Sequence, residues 1–354
     1  MSIYWSEILK GIDPYVPGEQ PGDKKYIKLN TNENPYPPSP RVLEKIREVA
    51  DEKLRLYPDP ECEDLREALA EYHKLDKSQV YAGNGSDELL AFTFLAFFNP
   101  TGLPILFPDI TYSFYPVYSN LFKIKYRQIP LDGSFNVPAE QFYAENGGII
   151  IPNPNAPTGK YLPVHSIGEI LRRNTQSVVV VDEAYIDFGG ESAVKYIGEH
   201  PNLLVVRTLS KSHSLAGMRV GYALGHKELI EGIARIKNSV NSYTLDRIAL
   251  AAAVEAIKDT AYFQETRRKI INTRERVSSQ LKNMGFDVVD SMANFIFVAH
   301  PCVPACEIFR QLRERGILVR HFKKPRIDNY LRVSVGSDDE MFCFLNQIGK
   351  IVGF

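Results

Sequence analysis

A lysine set among hydroxyls just past a buried strand can do chemistry that a solvated lysine cannot. In VVRTLSKSHSLAGMRVGY (205–222) an apolar run delivers Ser210, Lys211 and Ser212 into a glycine-containing turn, with Arg219 further along the same segment. Desolvation at such a place disfavours the ammonium, and the neutral amine is the form that condenses with a carbonyl as a Schiff base. A second apolar run, VVVVDEAYIDF (178–188), puts Asp182 at the strand edge where α/β sheets bind ligands. A carboxylate buried there requires a cationic or hydrogen-bonding partner. Each residue also has a plainer reading, a surface lysine and a capping aspartate.

Two further segments add to these. YAGNGSDELL (81–90) reads as a strand end, two glycines and a helix start, with Ser86 as N-cap; free N–H groups and the helix dipole there make an anion site. IIIPNPNAPTGK (149–160) runs a strand into a rigid turn that offers side-chain amides at the same sheet edge. Anion cradle, buried acid, hydroxyl-flanked lysine and amide together suit pyridoxal phosphate. Its phosphate needs a helix N-terminus and an arginine, its aldehyde a lysine, and its ring nitrogen an acid.

The elements that must position these groups are legible in the chain. GGIIIP (147–152), SVVVVD (177–182) and LLVVRT (203–208) are continuous apolar runs, the pattern of strands buried on both faces of a mostly parallel sheet. A helix is expected from about Val164 to Arg173, after a proline and ending in a basic pair. From about Leu245 a long helical pattern runs to Gly285, and a compact α+β tail follows, with NFIFVA (294–299), a helix through about Arg315, ILVRHF, YLRVSV and a last helix. The division expected is an N-terminal arm (1–30), a large domain (31–240), and an interdomain helix with a small C-terminal domain (241–354).

Composition narrows the partners. The chain has 354 residues with 42 basic against 43 acidic side chains, so nothing suggests a nucleic-acid surface or an anionic membrane. The most apolar stretch, LLAFTFLAFF (89–98), is too short to span a bilayer, and the N-terminus lacks a signal-peptide core. Four scattered cysteines do not form a disulfide framework. A cytoplasmic enzyme is the expectation.

On these residues the chain resembles the fold-type-I aminotransferases of class II. DEAY with RTLSKSHSLAGMR carries the superfamily resemblance; LNTNENPYPPSP (29–40), RLYPDP (55–60) and GNGSDE (83–88) are similar to the histidinol-phosphate aminotransferase group. The resemblance implies pyridoxal 5′-phosphate held by Lys211, with Asp182 at the ring nitrogen, Tyr185 at the 3-hydroxyl and Tyr112 on the ring face. It places the phosphate at Gly85, Ser86, Asp87, Ser210 and Arg219, and Tyr57 at the phosphate of a neighbouring subunit, hence a homodimer with shared sites. Where the family reads Asn-Pro-Thr-Gly this chain has Ala156; Asn155 supplies the amide in its place, or Tyr185 acts without it. Arg332, Arg320 and Tyr15 match substrate-binding positions.

The activity so implied is transamination of L-histidinol phosphate with 2-oxoglutarate, giving imidazole-acetol phosphate and L-glutamate. Rivals within the fold are an aromatic-amino-acid aminotransferase and a lyase similar to threonine-phosphate decarboxylase. A pyridoxal-binding transcription regulator would need a DNA-binding domain for which the chain has no room. No metal is expected: HPCVPAC (300–306) spaces His300, Cys302 and Cys306 like half a zinc site, but no second pair exists, and Cys306 reads as helix core. His213 reads as a satisfied turn histidine.

Overall fold

A computed structural model describes residues 2–6, 8–9, 12–14, 18–20 and 26–354. After a two-residue strand, β1 (Ile27–Lys28), the chain forms β2 (Val80–Asn84), β3 (Ile105–Pro108), β4 (Tyr126–Ile129), β5 (Ile149–Pro152), β6 (Val179–Asp182), β7 (Leu203–Thr208) and β8 (Val220–Gly225). The last seven make one sheet, ordered β2-β8-β7-β6-β5-β3-β4. Its pairs from β7 across to β4 are parallel, and β8 runs antiparallel to both β7 and β2. The mostly parallel sheet expected from the apolar runs is what forms. Every residue of β5 through β8 is buried.

The pleat sends alternate residues of each strand into two helical layers. Val179 and Val181 of β6 join a core with α2 (Glu63–His73), α5 (Val164–Arg173) and α7 (Arg247–Lys258), whereas Val180 joins one with α3 (Gly85–Phe97), α4 (Phe114–Leu121) and α6 (Lys227–Val240). α1 (Pro40–Val49) contributes Val42 to the first layer. The α5 helix has the bounds read from the sequence.

The long helical pattern after Leu245 is broken where a continuous helix was expected. Asp259 ends α7 with φ −85° and ψ 65°, and its carboxylate accepts a hydrogen bond from Tyr262 N at the start of α8 (Thr260–Asn283). Aspartate competes with the helix backbone in this way. The break lets each half bury its own face. Ala249, Ala252, Ala253 and Ala256 of α7 pack in the first layer, and Val277 and Leu281 of α8 pack in a separate C-terminal core.

That C-terminal unit contains β9 (Asp287–Val289), β10 (Phe295–Ala299), α9 (Ala305–Glu314), β11 (Ile317–Leu318), β12 (Arg320–His321), β13 (Leu331–Ser334) and α10 (Asp338–Val352). Its antiparallel sheet is ordered β12-β13-β10-β9. Ser337 and Glu340 close a capping box at the start of α10. The ILVRHF segment divides: β11 pairs in parallel with β1, and β12 pairs with β13. Leu29 is therefore buried in the C-terminal core, with Ile27 packed against it, so residues 27–29 are docked on the C-terminal unit.

Candidate active site

Parallel strands end on one edge, and β5, β6 and β7 end at Pro152, Asp182 and Thr208, which line a cavity of about 220 Å³ between the sheet and the C-terminal unit. Lys211 and Tyr185 follow directly from two of these strand ends and line it too.

Asp182 is 5% exposed and accepts hydrogen bonds from Tyr115 Oη at 2.8 Å and from Ala184 N at 3.2 Å. Burial pushes its carboxyl up to about 6, and the bonds from Tyr115 and Ala184 only partly oppose this. Among the described residues no ion pair reaches it. A cation arriving from the cavity is the partner this carboxylate is built to receive.

The Lys211 amine donates to the Thr31 carbonyl at 3.3 Å and lies 5.9 Å from the centre of the Tyr185 ring. Its backbone is fixed from outside the turn. Asn34 Nδ2 donates to the carbonyls of Lys211 and Ser212 at 3.0 and 3.2 Å, and Ser212 Oγ donates to Asp187 Oδ2 at 2.5 Å. Asp187 in turn pairs with Arg207 in the interior. His213, next along, shares a hydrogen bond with Ser212 and stacks on Phe263; burial pushes it down to about 4, so it is a neutral packing histidine.

One part of the cavity wall is built for an anion. The α3 helix begins at Gly85, with Asn84 at the cap position making no side-chain cap. Ser86 therefore stands inside the first turn and is not the N-cap expected, because the glycine turn tightens one residue earlier. The uncapped first-turn N–H groups and the dipole remain available to a ligand. Arg219 reaches over this helix start, its Nη2 held by Asp87 Oδ2 at 3.1 Å, and Tyr112 Oη donates to Asp87 Oδ1 at 2.8 Å. Close approach here demands two glycines. A β-carbon on Gly85 would sit 2.7 Å from Arg219 Nη2 and one on Gly221 would sit 2.5 Å from Ser86 N. Ser210, buried beside Thr208, completes this part of the wall.

The C-terminal unit closes the cavity with Arg320 on β12 and Arg332 on β13, facing each other in register. Arg332 Nη2 donates to Asn30 O at 3.1 Å, and the guanidinium lies over Phe295 and Phe322. Three arginines thus converge on one cavity in a chain of net charge −1.

Some expected residues are elsewhere. Asn155 is fully buried, its Nδ2 donating to Ile110 O and Thr158 Oγ1, so the amide braces its own turn while Ala156 faces the cavity. The substitute-amide reading of Asn155 is therefore corrected. Tyr57, expected at the phosphate of a neighbouring subunit and not at this chain's own cavity, lies on the surface, 78% exposed and stacked on Tyr243. Tyr15 lies outside the described residues. Cys306 is exposed on α9 and not helix core, and His300 Nδ1 accepts from the N–H groups of Cys302 and Val303 as a turn cap. Sequence reasoning missed Tyr115, Asn30, Thr31 and Asn32. The last three sit in the LNTNEN segment, whose run of small polar residues before prolines was the available signal.

These residues fit pyridoxal phosphate. The buried carboxylate without a cation suits a protonated ring nitrogen, the amine of Lys211 suits an aldehyde, and the glycine cradle beneath Arg219 suits a phosphate.

Comparison with known proteins agrees with this chemistry. The aminotransferase class I and II family matches residues 24–348. A histidinol-phosphate aminotransferase of Clostridium acetobutylicum is 58% identical over 99% of this chain and 100% of its own length. One from Clostridium botulinum is likewise 58% identical, over 99% of each chain. The crystal structure of histidinol-phosphate aminotransferase from Sinorhizobium meliloti, in complex with pyridoxal-5′-phosphate, superposes with a TM-score of 0.89 at 25% identity, covering 100% of this chain and 98% of that one. This chain belongs to the class I and II aminotransferases.

Proposed function

We propose that the chain is a pyridoxal-phosphate-dependent aminotransferase that exchanges the amino group of L-histidinol phosphate with 2-oxoglutarate, in histidine biosynthesis. The observation that carries this reading is the 58% identity to a histidinol-phosphate aminotransferase along the full length of both chains. The cavity supports it, because Arg320 and Arg332, contributed by the C-terminal sheet, line it in addition to Arg219 and would meet a carboxylate in one half-reaction and a phosphate in the other.

The bound cofactor would supply an aldehyde for the substrate amine and a ring that accepts electrons from the substrate α-carbon. In this reading the residues around it hold and move protons. Asp182 keeps a proton on the ring nitrogen. Tyr185 would donate to the ring oxygen, and Tyr112 would flank the ring. The N–H groups at Gly85, Ser86 and Asp87, with Ser210 and Arg219, hold the phosphate. The Lys211 amine, which lines the cavity, would hold the cofactor's aldehyde and would serve as the base and then the acid for the substrate α-proton. Two half-reactions at one site give ping-pong kinetics.

A homodimer completes the reading. Leu54, Leu56, Tyr57, Val240 and Tyr243 are exposed apolar side chains, and Tyr57 stacks on Tyr243 at 4.6 Å, a surface of the kind that protein interfaces cover. Tyr57 would reach the neighbouring subunit's phosphate from there. Among the described residues no helix is long and apolar enough to cross a membrane, and the enzyme is placed in the cytoplasm on the strength of its proposed pathway.

The test is a half-reaction panel on the purified enzyme, following the cofactor absorbance with each donor. Histidinol phosphate should convert the chromophore at the lowest concentration, and 2-oxoglutarate should restore it with formation of glutamate. Release of carbon dioxide instead, or preference for a phosphate-free aromatic amino acid, overturns the reading.

A further inference from the structure

Asn30, Thr31 and Asn32 line the cavity, and each of the four carbonyls of Leu29–Asn32 is occupied. Leu29 O accepts from Ser334 N, Asn30 O from Arg332 Nη2, Thr31 O from Lys211 Nζ and Asn32 O from Asn294 Nδ2. Asn32 is 1% exposed with φ at 56°, in the left-handed region where asparagine is one of the few tolerated residues. Its N–H donates to Ser334 Oγ at 2.8 Å, and Ser334 Oγ lies 3.0 Å from Asn32 Oδ1. Besides accepting that backbone proton, Ser334 Oγ donates its own to Oδ1. With Oδ1 facing Ser334, Nδ2 donates to Tyr185 Oη at 3.0 Å.

A phenol that accepts from an amide keeps its own proton for a second partner. Tyr185 lines the cavity, packed edge-on against Phe295, and the Lys211 amine lies 5.9 Å from the centre of its ring. We propose that Asn32 is a positioning residue that makes Tyr185 a hydrogen-bond donor into the cavity. It also ties that donation to the C-terminal unit, since Ser334 lies two residues from Arg332 on the same face of β13. This inference rests on the reading that Tyr185 meets the cofactor's ring oxygen. A donor there draws charge off that oxygen and makes the nitrogen joining Lys211 to the cofactor less basic.

The experiment is a spectrophotometric pH titration of the holoenzyme chromophore in four proteins: wild type, Asn32→Asp, Tyr185→Phe and the double variant. Asn32→Asp keeps shape and the Ser334 bond but presents an acceptor to Tyr185, which turns the phenol proton away from the cavity. The expected result is an upward shift of the midpoint by roughly 0.5–1 unit for Asn32→Asp, with little added shift in the Tyr185→Phe background. An unmoved midpoint in Asn32→Asp while Tyr185→Phe shifts it overturns the role of Asn32. An unmoved midpoint in Tyr185→Phe overturns the underlying reading of Tyr185. Equal shifts by Asn32→Asp in both backgrounds mean that Asn32 acts by charge or packing and not through Tyr185. Asn32→Ala, compared by thermal melting and by the same titration, provides an uncharged variant.

Discussion

Tyr115 Oη lies 2.8 Å from Asp182 Oδ2, a wholly buried phenol donating to a carboxylate at the end of a parallel strand. The bond orients the carboxylate but supplies no charge, and burial still leaves its carboxyl at about 6. In the cofactor-free protein Asp182 is thus held at a cost, and the ring nitrogen's proton would offset it. Hydrogen bonds to charged groups are worth about 1.5–3 kcal/mol. Tyr115→Phe should weaken cofactor binding by about tenfold or more while the fold persists, as equilibrium dialysis of the cofactor would measure.

The same carboxylate predicts a pH dependence. Its folded value is raised above the ordinary aspartate range, so the native state binds the proton more tightly than the unfolded chain does. Stability from this group is present below the unfolded value near 4 and is lost as pH rises to about 6. Asp182→Asn removes that loss. The melting temperature of cofactor-free Asp182→Asn should pull ahead of wild type between about pH 4 and 6 and keep a constant lead above. A lead that shrinks with rising pH would contradict the assignment.

Lys211→Ala should abolish turnover and the absorbance of the lysine-linked cofactor, with the circular dichroism unchanged. Lys211 is half-buried in a turn held by Asn34 and Ser212, so its amine is not what holds the turn. Near wild-type activity in this variant would overturn its role.

Gly85→Ala places a β-carbon against Arg219 at a residue whose φ is +77°. The backbone strain alone costs about 1–3 kcal/mol, and Arg219 must move off the helix start. Weaker cofactor binding should exceed the loss of stability, which calorimetry with and without pyridoxal phosphate would separate.

Arg320→Ala should raise the KM for histidinol phosphate at least tenfold and that for a phosphate-free aromatic amino acid far less, since a guanidinium recognises phosphate bidentately. Equal losses for both donors would show that Arg320 does not read the phosphate.

Lys211, Asp182 and the β5–β7 strands were legible because each lies within or shortly after a continuous apolar run, where local sequence dictates burial and burial dictates chemistry, whereas Arg219 was legible through the family resemblance. The helix Val164–Arg173 was legible for the same kind of reason, bounded by a proline and a basic pair. What stayed hidden depended on residues far apart in the chain meeting in space. No local pattern shows that Tyr115 reaches Asp182 or that Ser334 fixes the amide of Asn32 across 302 positions. Nor does one show that Asn155 spends its amide on Ile110 and Thr158, or that Asp259 stops a helix whose periodicity continues through it. The sequence by itself determined the sheet, the cofactor class and the residues at the strand ends, since these follow from hydrophobic runs and the polar groups that interrupt them. Tertiary structure alone decided which polar groups face the cavity, because a hydrogen-bonding side chain turns toward whichever partner packing brings within 3 Å or so of it.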